Sequence, residues 1–140
     1  MKNVTRKIVF VAALLVSTLI HADTLMLQIT VEHQNHRLFK VWTTTRDVAA
    51  ERNIPAEQFI RVLAYNNSGG QVYEYFLEDS WRSLAALPVE AKQDYQAPDS
   101  YILKIPNPQS VERVELFRGS MSEMEQSMEL QRLLVIDKTW

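Results

Sequence analysis

Apolar and polar residues alternate with a period of two over much of the chain beyond residue 23. The first run is Thr24 to His33, in which Leu25, Leu27, Ile29 and Val31 alternate with Met26, Gln28, Thr30 and Glu32. That period places the two sets on opposite faces of an extended strand, one face apolar and the other polar. Gln34-Asn35 predicts a tight turn into a second strand over His36 to Thr45, where Leu38, Phe39, Val41 and Trp42 offer apolar groups to both faces. Such a strand is expected to be covered on both sides, with Trp42 in the core. From Arg46 to Pro55 the alternation stops, and one helical turn capped by Asp47 is expected.

Phe59 to Leu77 predicts a hairpin around which the other strands are arranged. Ile60, Val62 and Ala64 alternate with Phe59, Arg61, Leu63 and Tyr65; after the loop, Val72, Glu74 and Phe76 alternate with Tyr73, Tyr75 and Leu77. Asn66-Asn67-Ser68-Gly69-Gly70 between them tolerates positive φ and permits the reversal. A lone hairpin is marginal in water, so further strands must cover its apolar face.

Glu78 to Pro98 carries Trp81 and an apolar cluster from Leu84 to Leu87 without a sustained period, and reads as a partly helical crossover. Two more strands follow, Ser100 to Ile105 and Val111 to Arg118, separated by the turn Pro106-Asn107-Pro108-Gln109-Ser110. In the tail, Ser120 with Glu123 has capping-box spacing, and Met121, Met124 and Met128 recur as on one face of an amphipathic helix. Leu130, Arg132, Leu134 and Ile136 alternate instead, so a short helix followed by a strand or extended tail is expected.

Six to seven strands without a βαβ rhythm predict an all-β, antiparallel sandwich. The segments YEYFLEDSWRS from Tyr73 and SYILKIPNPQSVERVELFR from Ser100 stand in the order strand, hairpin, crossover, final hairpin. In that order the chain resembles, over residues 24–118, the small immunoglobulin-like domains of exported bacterial proteins. The resemblance implies an immunoglobulin-like β-sandwich that binds or braces and does not catalyse. The expected division is a signal peptide at 1–22, the sandwich at 23–119 and an amphipathic C-terminal tail at 120–140.

Charge and targeting narrow the partners. Lys2, Arg6 and Lys7 precede an apolar stretch from Ile8 to Ile20 that ends in His21-Ala22-Asp23, the pattern of a cleavable signal peptide. At ~1.5 Å per residue that stretch spans roughly 20 Å, short of a hydrocarbon core of ~30 Å. Cleavage after Ala22 would leave 12 basic and 17 acidic residues, a net charge of −5. Without a basic run, nucleic acid and anionic membrane surfaces are not expected partners. The chain has no cysteine, which excludes a lipid anchor on sulfur and suits a domain folding in the periplasm without disulfides.

Candidate chemistry is sparse. His33 and His36 are expected to face each other across the Gln34-Asn35 turn, within reach of one ion, but further ligands are missing and no metal or cofactor is assigned. There is no thiol and no Gly-x-Ser-x-Gly elbow, and Glu78-Asp79 point to opposite faces of a strand. The chain therefore reads as a non-enzyme. Trp81 is either a plug at one end of the sandwich or an aromatic platform, and Tyr73 with Tyr75 forms an aromatic face if that face is open. Together with Met121, Met124 and Met128 they are the candidate binding residues. The expected function is a non-catalytic periplasmic binding or accessory domain, an inhibitor, immunity or accessory factor, acting by contact with another periplasmic or envelope protein. The alternative is a glycan- or cell-wall-binding module using exposed aromatics.

Overall fold

Strands β1 (Thr24–Glu32) and β2 (Asn35–Thr44) form the first hairpin, joined through His33 and Gln34 at φ 49° and 65°. Two successive left-handed residues make a tight turn whose twist suits the flanking strands. The turn falls one residue before the expected Gln34-Asn35. β2 is also bulged at Phe39, between the pairs Ile29 with Leu38 and Gln28 with Lys40. An unbroken alternation from Leu38 would turn Lys40 and Trp42 inward. The extra residue instead brings Leu38 and Val41 onto the core and leaves Phe39 69% exposed. Burying an unpaired lysine costs more than a bulge does. β2 is thus covered on one face only, and Trp42 lies outside the core, opposite Met26 with the Lys40 ammonium 5.4 Å from its ring centre.

The computed structural model describes residues 23–45, 55–82, 90 and 98–140. The signal peptide expected at 1–22, the helical turn expected at Asp47 and most of the crossover expected between Glu78 and Pro98 lie outside the described residues.

The central hairpin pairs β3 (Gln58–Tyr65) with β4 (Gln71–Glu78). Its loop is held by the Asn66 side chain, whose Oδ1 accepts from the Ser68 and Gly70 amides at 3.1 and 2.8 Å. Gly69 takes φ 79°, the left-handed position that a reversal here requires. β5 (Ser100–Pro106), β6 (Arg113–Ser120) and β7 (Gln131–Asp137) complete the fold.

All pairings are antiparallel, in two sheets ordered β2-β1-β5 and β4-β3-β6-β7. Leu25, Leu27, Ile29, Leu103 and Ile105 from one sheet meet Ile60, Val62, Ala64, Val114, Leu116 and Ile136 from the other in a single buried core. The protein is an all-β antiparallel sandwich.

The tail belongs to this sandwich. The expected capping box is present, Ser120 Oγ accepting from the Glu123 amide and the Glu123 carboxylate accepting from the Ser120 amide, and it opens a helix over Met121–Glu125. The helix stops there: Ser127 is left-handed at φ 54°, and the Met128 amide returns to the Glu123 carbonyl at 2.9 Å. The chain then runs back as β7, adding an edge strand to β6 and burying Ile136. Leu130 closes over Gly119 and the Phe59 ring on the outer side of the four-stranded sheet, where Phe59 and Leu63 are buried.

Candidate functional site

One end of the sandwich interior is polar because the inward alternation of four strands ends on a polar residue. Val114 and Leu116 of β6 lead to Arg118, Leu77 of β4 to Asp79, Leu38 of β2 back to His36, and Leu103 of β5 back to Tyr101. Arg118 Nε donates to Asp79 Oδ2 at 2.5 Å and Nη2 to Oδ1 at 3.3 Å, both residues being buried. Arg118 Nη2 also donates to His36 Nε2 at 3.5 Å, and Nη1 to Gln34 Oε1 at 3.4 Å. Asp79 caps the helical turn that follows, Oδ1 accepting from the Arg82 amide at 3.0 Å.

The protonation of His36 follows from its partners. A guanidinium can only donate, so Nε2 is the acceptor and the ring proton sits on Nδ1, which donates to the Tyr101 hydroxyl at 2.8 Å. Burial, and then the Arg118 charge, push the imidazole down to about 4, against the opposite pull of Asp79. Burial likewise raises the Tyr101 phenol, which stays protonated. The Trp81 ring lies against both, its centre 5.3 Å from His36 and 5.1 Å from Tyr101, and its Nε1 donates to the Pro98 carbonyl at 2.9 Å.

A second ion pair extends the cluster toward the surface. Arg82 grips Glu123 through both oxygens, at 3.1 and 3.0 Å, and this holds the Glu123 carboxyl below its ordinary range. The members of the cluster satisfy one another. It ties Asp79 and Arg82, just after β4, to β6 and the β1–β2 turn, and it keeps the imidazole and carboxylate at its centre away from water.

No family model, curated protein or solved structure matches this chain.

The residues expected from the sequence to form a binding surface are scattered. Tyr75 lies in the core, its hydroxyl accepting from the Lys104 amide at 3.3 Å, with the ring of half-buried Tyr73 5.5 Å away. The face that these tyrosines share with Leu77 is the inner face of the sheet, so it offers no open aromatic surface. Trp81 is half-buried at the polar end, in the plug position. Met121 and Met124 sit half-buried on the short helix, while Met128, 54% exposed, lies beyond its end, so the methionines do not share one helical face. His33 is exposed in the turn and His36 is buried opposite Val31, so they do not face each other. Among the described residues no group of three His, Asp or Glu side chains is placed to hold a metal.

The surface that stands open is the outer face of the three-stranded sheet. Met26, Gln28 and Thr30 of β1 are flanked by Arg37, Lys40 and Trp42 of β2 and by Ser100, Ile102 and Lys104 of β5. Phe39 projects from the bulge, and Ile102 is 45% exposed. Among the described residues, Arg61, Arg82, Arg113, Arg118 and Lys138 are each paired with a carboxylate. Arg37, Lys40 and Lys104 are not, nor is Arg132 on the other sheet. Sequence reasoning missed this face because HRLFKVW reads as apolar on both sides; the pairing of Phe39 with Lys40 in that run was the available signal.

Proposed function

We propose that the protein is a non-catalytic binding or accessory domain of the periplasm that acts by contact with another envelope protein. The observation that carries this reading is the contrast between the two outer faces. The four-stranded sheet buries Phe59 and Leu63 on its outer face and leaves Val72 and Val135 42% and 38% exposed, whereas the three-stranded sheet leaves Phe39 69% exposed, with Ile102 45% exposed on the strand two away. An exposed phenylalanine on a bulge, on a face that also carries Met26, Trp42 and Ile102, is the composition of an interaction surface. The non-catalytic part of the reading is supported by the buried polar cluster, whose groups are engaged with one another. The periplasmic part rests on the apolar N-terminal run after Lys2, Arg6 and Lys7. The immunoglobulin-like resemblance belongs to the same proposal, supported by the two-sheet antiparallel architecture.

The test is affinity capture of the tagged full chain from an envelope extract, with eluates resolved by size exclusion and Phe39→Ser/Ile102→Ser run in parallel. A protein that co-elutes with the wild type and is lost from the variant is the expected result. A chain recovered alone under varied salt and pH, or a companion retained equally by the variant, overturns the reading.

A further inference from the structure

We infer that the outer face of the β2-β1-β5 sheet binds a protein surface on which carboxylates stand among apolar side chains. The inference rests on the binding-domain reading above and adds the chemistry of the partner.

Three observations point to that chemistry. First, apolar groups recur in neighbouring rows of the face, interleaved with cations. Trp42 and Lys104 flank Met26 across one row of the sheet, Lys40 and Ile102 flank Gln28 across the next, and Phe39 stands at the bulge beside Lys40. With strands ~4.8 Å apart, β2 and β5 are roughly 10 Å from each other, a width that one strand or helix of a partner can cover.

Second, the cations here have no carboxylate partner among the described residues. Arg37, Lys40 and Lys104 make no ion pair with a described residue, although most other basic residues among those described do. Apart from Glu32 beside the turn, the strand positions of this face carry no acid. In a chain with 17 acidic and 15 basic residues, a face bearing three cations against one carboxylate is a local reversal of charge. Such a face is complementary to carboxylates that come from elsewhere.

Third, the aromatics do not suit a sugar or a polyanion. The Lys40 ammonium already sits over the Trp42 ring, 5.4 Å from its centre, and occupies one of the two faces on which a sugar could stack. A membrane surface or a nucleic acid is held mainly through clustered Lys and Arg, and three separated cations in a chain of net charge −2 do not make such a cluster. Exposed Phe39 and Ile102 match apolar side chains, which a polysaccharide lacks.

The experiment places a photo-crosslinking benzoylphenylalanine at position 39 of the full chain in its own cells, with the same group at Val72 and Val135 on the other sheet as controls. Adducts are identified and their sites mapped by mass spectrometry. The expected result is an adduct from position 39 to a protein segment bearing Asp or Glu. Its yield should fall about tenfold or more with Arg37→Glu/Lys40→Glu/Lys104→Glu, because like charges across an interface oppose docking. The Gln triple variant, with an unchanged urea midpoint, should give an intermediate loss and guards against misfolding of the Glu form. An adduct from position 39 that survives both triple variants overturns the carboxylate chemistry and leaves protein binding standing. Protein adducts from Val72 or Val135 but not from position 39 overturn the face. Adducts to a polysaccharide or lipid, or none at all, overturn this inference and the binding-domain reading together.

Discussion

Arg118 and Asp79 approach to 2.5 Å inside the sandwich, though 39 residues separate them in the chain. Removing one partner of a buried pair strands the other charge without water, at a cost of about 3–5 kcal/mol, while replacing both by apolar groups of similar volume is close to neutral. Asp79→Ala should therefore lower stability by about that amount, and Asp79→Leu/Arg118→Met should recover most of it. Urea denaturation of the single and double variants measures the difference; equal midpoints for wild type and Asp79→Ala would show that the pair is not held in the folded state.

His36 makes the fold sensitive to mild acid. Its folded pKa of about 4 lies below the ordinary 6.5, so the unfolded chain takes up a proton as pH falls through 6.5 while the folded chain does not. Stability is lost progressively from about pH 7 toward pH 4. Between pH 7 and 5 the urea midpoint of the wild type should decline, and that of His36→Gln should be flatter. Parallel slopes for the two would remove the assignment.

The glycines of the central loop should differ. Gly69→Val forces a β-branched residue to φ 79° and is expected to cost roughly 1–2 kcal/mol. Gly70 has no such φ, and an added Cβ meets only the Asn66 amide at 3.2 Å, so Gly70→Val should cost less. Urea midpoints that fall equally would place the constraint elsewhere in the loop.

Deleting residues 120–140 should abolish the cooperative thermal transition. The deletion removes β7, uncovers the ladder edge of β6, and takes away buried Ile136 along with the Glu123 partner of Arg82. A truncated chain that melts cooperatively near the full-length temperature, seen by calorimetry and by light scattering, would contradict this.

The chain's own pattern was sufficient for much of the fold. Leu25 to Val31 and Ile60 to Ala64 alternate cleanly, Asn66 to Gly70 can reverse the chain at little strain, and Ser120 with Glu123 names the start of the short helix; each is a local property of backbone and side chain. What a strand's period cannot say is which face is buried. That depends on the strands opposite, and so Tyr73 and Tyr75 turned inward while Phe39 turned out. Nor can a local pattern separate three and four residue recurrence from alternation over so short a tail; pairing with β6 decided for a strand after Glu125. The polar cluster is more distant still from what sequence can carry. His36, Asp79, Tyr101 and Arg118 look like four unrelated strand-end residues, and only the packing of the two sheets brings them within hydrogen-bonding distance. There burial raises the cost of each charge and makes its partner necessary.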